Sequence, residues 1–185
     1  VGMKNAHGDI LTFIDSDDLF PSGTFKKVGE YFTAHNSEWL LGLGRYIDAN
    51  GDKTRQGVMK AKLFMLRHYN YNTFRLFDYA ISPAVFWRRE LYEEMGGFKI
   101  DEKLAFEYEW WLRVGRKYKP GFINDYLGVW RMHGGSVTSK GLNKSADDAL
   151  RLQGMYTNNL ALRLLQYCAC NVVKIIYTKE KRLCD

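Results

Sequence analysis

Asp9-Ile10-Leu11-Thr12-Phe13-Ile14-Asp15-Ser16-Asp17-Asp18 is the stretch on which the reading of this chain turns. Its first part is apolar and β-branched enough to form a buried strand, expected over residues 10–14. Leu19-Phe20-Pro21 follows, then a helix start, so several carboxylates fall where a core strand stops and a loop begins. In open α/β sheets that edge, beyond the carboxyl ends of the strands, is where ligands bind. Crowded carboxylates repel one another unless something positive holds them. A divalent cation does so through oxygen ligands, and Mg²⁺ sites often combine one or two carboxylates with substrate phosphates. A solvated acidic turn, with Asp17 or Asp18 capping the next helix, is the plainer alternative, and both readings stay open at this point.

Outward from that stretch, strands alternate with helices, which argues an α/β class. Pro21-Ser22-Gly23 opens a helix with Phe25, Val28 and Phe32 on one face. A strand is expected over 38–47, ending in a turn at Asn50-Gly51. A short helix follows around 62–69, then a strand over 80–86 broken at Pro83. A helix over 88–95 is stopped by Gly96-Gly97, and a second one, over 107–118, carries Glu107, Trp110, Trp111 and Val114 on one face. A last strand covers 122–130, Gly134-Gly135-Ser136 forms a loop, and helical spacing runs from 145 to about 177. The chain opens Val1-Gly2-Met3-Lys4 and reaches a core strand almost at once. An α/β domain rarely opens on its central strand, so earlier βα units are expected to precede it.

The 185 residues are enough for one domain with a real core. The formal charge of +6 suits phosphorylated ligands or an anionic membrane surface, and is too small and dispersed to argue nucleic acid. Cys168, Cys170 and Cys184 are odd in number and suggest neither a disulfide framework nor a zinc site. A reducing, cytosolic location is expected. No uninterrupted apolar stretch is long enough to span a bilayer.

Four constellations can carry chemistry. Asp15 and Asp17 are the first. Glu107-Tyr108-Glu109, at the start of the Trp-rich helix, is the second: either simple capping, or a general base whose pKa neighbouring indoles raise, with rings for a sugar to stack on. Arg131-Met132-His133 is the third. Alternation puts Arg131 and His133 on one side, an Arg for phosphate and a His for metal, or else a surface Arg and a half-buried His. Trp87-Arg88-Arg89 is the fourth, read equally well as a solvated helix start.

Taken together and in this order, these pieces resemble glycosyltransferase family 2, whose members have the GT-A fold. The motifs are Asn5 to Pro21, Ser82-Pro83-Ala84-Val85-Phe86-Trp87-Arg88-Arg89-Glu90-Leu91-Tyr92, Gly96-Gly97-Phe98, Glu107-Tyr108-Glu109-Trp110-Trp111-Leu112-Arg113, and Trp130-Arg131-Met132-His133-Gly134-Gly135-Ser136-Val137-Thr138. The resemblance covers about residues 1–140, read as a partial GT-A catalytic domain that lacks the family's first βα units, so residues 1–185 alone are expected to be inactive. Residues 141–185 are read as a C-terminal helical extension.

The resemblance implies transfer of a sugar from a nucleotide-diphosphate donor to an acceptor hydroxyl, with inversion, in cell-surface polysaccharide or glycolipid synthesis. It implies Mn²⁺ or Mg²⁺ as cofactor, held by Asp17 and His133, with Asp15 toward the donor ribose and metal and Arg131 near the diphosphate. The general base falls on Glu107, where the family usually has Asp, and Glu109 is the fallback. A glycan or lipid-linked acceptor is expected, with peripheral contact to the inner face of the cell membrane and no nucleic-acid partner. The competing expectations are a degenerate nucleotide-sugar-binding module and a basic, aromatic interaction domain.

Overall fold

The computed structural model of the chain describes residues 2–99, 101–102, 105–135 and 142–184. Four strands form one mixed sheet in the order β1-β3-β2-β4: β1 is Ile10–Thr12, β2 Trp39–Ile47, β3 Val85–Arg88 and β4 Gly121–Arg131. β3 runs antiparallel to both β1 and β2, whereas β2 and β4 are parallel. The helices are α1 (Thr24–Ala34), α2 (Gln56–Arg67), α3 (Tyr71–Phe74), α4 (Arg89–Met95), α5 (Phe106–Gly115), α6 (Leu142–Met155) and α7 (Leu160–Cys184). The motif residues Ser136, Val137 and Thr138 and the expected boundary at 140/141 lie outside the described residues.

β2 is buried along nearly its whole length, so both of its faces meet protein. Two close approaches there shape the site. A side chain at Gly44 would come within 2.5 Å of Ile81, and one at Gly128 on β4 within 2.5 Å of the Pro83 carbonyl carbon. The missing side chains let the 78–84 segment lie directly on the sheet. Pro83 explains why the strand expected over 80–86, broken at Pro83, forms only beyond the break. With Pro near its start the chain makes a 3₁₀ turn over Ser82–Ala84, and pairing begins only at Val85. The strand then continues through Arg88, displacing the helix start to Arg89.

Other expectations shift for local reasons. β1 stops at Thr12 because Phe13 turns its ring onto Phe98 and Phe106. The buried face of α1 is Thr24, Val28 and Phe32, not Phe25, which is 63% exposed. The hydroxyl of Thr24 donates to the Leu127 carbonyl and sets that rotation. α2 begins six residues before the expected 62. α5 is shorter than expected and buried nearly all round. The single helix expected over 145–177 is a hairpin of two, broken at 156–159. Thr157 Oγ1 accepts from the Asn159 N–H and Asn159 Oδ1 from the Leu162 N–H, local bonds that compete with a continuous helix and cap the second one. The hairpin rests on the core through Leu152, Gln153 and Gln166, whose amides reach Leu76, Tyr108 and Arg75.

The aromatic wall is core. Trp110 and Trp111 are 0% and 2% exposed. Trp110 packs on Trp87, Tyr92 and Phe98 and donates to the Gly96 carbonyl. No indole of α5 is open for a sugar to stack on, which corrects that expectation. The Trp87-Arg88-Arg89 cluster is likewise no solvated helix start. Trp87 is buried, Arg88 donates to the carbonyls of Phe32, Ser37 and His35, and Arg89 to those of Ala6 and Gly8.

Candidate active site

The loop after β1 is fastened to the end of β4 by an unbroken set of contacts. Leu19 and Val129 exchange both backbone hydrogen bonds, at 3.0 and 2.9 Å. Next along, the Arg131 N–H donates to Asp18 Oδ1 at 2.8 Å, and Arg131 Nε to the Asp17 carbonyl at 3.1 Å. Arg131 Nη1 reaches the Asp48 and Ala49 carbonyls at 3.1 and 3.3 Å, which ties in the turn after β2. Finally His133 Nε2 and Asp17 Oδ2 meet at 2.8 Å, between residues 116 apart in sequence. Met132 points the other way and is buried. The alternation expected of Arg131-Met132-His133 holds, and both polar side chains reach the acidic loop.

His133 has a defined tautomer. The Gly135 N–H donates to Nδ1 at 3.1 Å, so that nitrogen is unprotonated and the ring proton sits on Nε2, facing Asp17. Among the described residues no three His, Cys, Asp or Glu side chains converge as a metal cage. Asp17 and His133 are a two-donor set.

Electrostatics draws a second carboxyl into the same region. Glu107 begins α5. Its Oε2 accepts from the Ser82 hydroxyl at 2.8 Å, and its Oε1 is enclosed without a hydrogen-bond partner among the described residues. Burial pushes its pKa up to about 8; the Ser82 bond opposes this, and the charges of Asp15, Asp78 and Asp18 add to it. Asp15 is raised as well, by burial and then by Asp17. Asp18 is raised to about 7, mainly by burial, which outweighs the Arg131 N–H. These shifts mark a cluster of mutually repelling carboxyls, the pattern found where protons or cations are handled.

Glu109 lies elsewhere, as i and i+2 diverge on a helix. Its side chain is 0% exposed and ion-paired with Lys99 at 2.8 Å and Arg113 at 3.0 Å, and Tyr156 donates to it at 2.5 Å. Burial would raise its pKa, but those three bonds outweigh burial and hold it below the usual range. Glu109 ties α5 to the segment after α4 and to the α6–α7 connection.

The structure thus brings Asp15, Asp17, Arg131, His133 and Glu107 to one end of the sheet and leaves Glu109 outside. Two contributors escaped sequence reasoning. Ser82 sits within a quoted motif, but only the 3₁₀ turn at Pro83 reveals that its hydroxyl faces Glu107. Asp18 read as a helix cap, whereas its carboxylate caps the Arg131 N–H across the sheet.

Comparison with known proteins adds an independent line. The chain matches the family described as Glycosyl transferase family 2 over residues 1–96. It is 29% identical over 119 residues to the uncharacterized glycosyltransferase YwdF of Bacillus subtilis (strain 168), covering 64% of this chain and 43% of that protein. The S. aureus TarS 1-349 structure is similar with a TM-score of 0.54 at 16% identity, over 89% of this chain and 48% of that one. TarS 1-349 in complex with UDP-GlcNAc gives 0.54 at 14% identity, over 91% and 57%. At those identities the structural likeness speaks to the fold. The chain spans about half the length of these proteins.

Proposed function

The chain belongs to glycosyltransferase family 2, and from that premise we propose that it provides the reaction centre for moving a sugar from a nucleotide-diphosphate donor to an acceptor hydroxyl with inversion. Its α/β architecture is that of the GT-A glycosyltransferases, as the similarity to TarS indicates. One observation carries the proposal: loop 15–18 and segment 131–133 meet at one sheet end with a half-enclosed, partly unpartnered carboxyl, Glu107, coupled to the same cluster.

In this reading Glu107 is the general base. A carboxyl near pKa 8 holds a proton tightly enough to take one from an acceptor hydroxyl, and Ser82 fixes one of its oxygens. Attack from the Glu107 side, with the diphosphate leaving toward Asp17 and His133, is an in-line displacement and inverts the anomeric carbon. Arg131 keeps the acidic loop in register and brings positive charge to the side on which the diphosphate gathers negative charge.

Asp17 and His133 are the residues that would hold Mn²⁺ or Mg²⁺. Their donor atoms lie 2.8 Å apart, close to the ~3 Å separation of neighbouring ligands around a cation with bonds of about 2.1 Å. A site with two protein donors suits a metal whose other ligands are water and donor phosphates, and such a metal supplies Lewis-acid stabilisation of the leaving group. Asp15, beside them, is assigned to the donor ribose.

The acceptor is proposed to be a glycan or lipid-linked sugar of cell-surface polysaccharide or glycolipid synthesis, used at the inner face of the cell membrane. Among the described residues no helix is long and apolar enough to cross a membrane. α7 instead exposes an apolar stripe that includes Leu160, Leu164, Leu165, Val172, Ile175 and Ile176. Its sequence carries Arg163, Lys174, Lys179, Lys181 and Arg182 against one acid, Glu180. A cationic helix with an open apolar face suits an anionic leaflet. Residues 1–140 then carry the chemistry and 141–185 the membrane contact.

The deciding experiment measures transfer by the full-length protein from a panel of nucleotide-diphosphate sugars, with product anomer assigned by NMR. Mn²⁺-dependent transfer with inverted configuration is expected. Transfer undiminished in excess chelator contradicts the metal assignment, and a retained anomer contradicts the displacement.

A further inference from the structure

A cleft of about 200 Å³ opens between β2, the turn that follows it and α2. Its lining contains none of the residues assigned above. It gathers three cations, Arg45, Lys53 and Lys60, beside Thr54, Gln56 and Tyr126, and no carboxylate lines it. Among the described residues none of the three cations is in an ion pair. Arg45 is half-buried with its guanidinium 4.8 Å from the centre of the Tyr126 ring, and its Nε is enclosed without a hydrogen-bond partner. An enclosed guanidinium N–H lacking an acceptor is a cost that an anion would remove.

Backbone charge points the same way. Gln56, on the cleft wall, is the first residue of α2. No side chain caps that helix and no acid stands in its first turn. Its first N–H groups therefore keep the partial positive charge of a helix N-terminus. The turn is held in place, because the Thr54 N–H returns to the Tyr46 carbonyl at 3.1 Å and Asp48 to Asp52 at 2.9 Å, which presents Lys53 beside Arg45.

We propose that this cleft is an anion-binding site, separate from the donor site, that takes a phosphate or carboxylate group carried by the acceptor. Arg45 precedes Asp48, whose carbonyl Arg131 holds, by three residues of strand, about 10 Å. A charged group seated at Arg45 therefore lies within a sugar or two of Arg131, a reach that an extended acceptor chain spans from the Glu107 side. The anion site stands on the cleft itself; its assignment to the acceptor rests on the transferase reading.

Inorganic phosphate is the first probe, titrated by heteronuclear NMR into the 185-residue protein at constant ionic strength. Saturable shifts at Arg45, Lys53, Lys60 and the first turn of α2 are expected. The Lys53→Gln/Lys60→Gln double variant should weaken binding about five- to tenfold, the loss of one charge-assisted contact or more. Both lysines are exposed, so the variant keeps the fold. Shifts confined to Arg131 and His133, or an equal response to chloride, overturn the site. The second arm compares acceptors with and without a phosphate or carboxylate in the transfer assay. The double variant should raise KM for the charged acceptor alone; equal KM changes for both overturn the acceptor assignment. Phosphate binding at the cleft without sugar transfer to any acceptor by the full-length protein overturns the transferase reading and the acceptor assignment, and leaves the anion site standing.

Discussion

A carboxyl that accepts a proton near neutral pH needs surroundings that oppose its charge, and Glu107 has them in burial and in three neighbouring acids. The Glu107→Gln variant keeps the shape and loses the proton acceptor. Its turnover should fall by ~10²–10⁴-fold with donor affinity little changed, measured beside wild type with one donor. Glu109→Gln is expected to act on stability instead, because it leaves Lys99 and Arg113 short of a buried partner. A Glu109→Gln enzyme that folds normally but is dead would move the base two residues along. The pH profile separates these roles further. Rate should rise with pH through about 8 as Glu107 loses its proton. Ser82→Ala removes a bond that favours the charged form, so the midpoint should move upward. An unshifted midpoint would mean that Ser82 only fills space.

At the level of elements, the approach of the 82–84 turn to β4 decides where Ser82 points. Gly128→Ala places a methyl group 2.5 Å from the Pro83 carbonyl carbon, backbone that cannot rotate away. We expect a loss of about 1–3 kcal/mol in denaturant unfolding. Gly29→Ala, on the exposed face of α1 with nothing within 4 Å of the new atom, should instead gain about 0.5–1 kcal/mol. Equal effects of the two would show that the turn is not held by contact. For α7, Leu164→Glu with Val172→Glu puts charge into the open apolar stripe without touching the buried face at Gln166, Ala169 and Cys170. Partitioning onto vesicles with anionic lipid should drop severalfold. Unchanged partitioning would leave α7 without a membrane role.

For the whole molecule, the raised carboxyls fix how stability varies with pH. Folded Glu107 and Asp18 hold their protons to about 8 and about 7, against 4.5 and 3.8 ordinarily. Between those limits the folded chain binds protons that the unfolded chain has released, so stability falls as pH rises through the window. Glu109, held below its usual value, acts oppositely and lower down: its contribution is present above pH 4.5 and lost on acidification below it. Tm should therefore decline from about pH 5 to about pH 8, and Glu107→Gln should flatten the upper part of that decline. A Tm that climbs steadily across the window would contradict the buried-carboxyl account. A bound cation should counter the decline at its upper end by compensating the clustered charge.

What the sequence determined by itself was the order of the parts. An apolar run ending in Asp15-Ser16-Asp17-Asp18, the spacing of Arg131 and His133, and a carboxylate pair opening a Trp-rich helix are local patterns. Strand alternation and helical period express them directly, and together they bear the family resemblance. The i, i+2 divergence of Glu107 and Glu109 was legible for the same reason. What only the tertiary structure decided depends on segments far apart in the chain. Asp17 meets His133 across 116 positions and Ser82 meets Glu107 across 25. Whether Trp110 faces a ligand or the core turns on Trp87 and Phe98, not on its own helix. The raised pKa of Glu107 likewise comes from burial and from acids on other segments. A residue's chemical type is written in one letter, but its partner and its dielectric surroundings are set by the packing of distant segments, and that packing gathered a row of acids into one cluster.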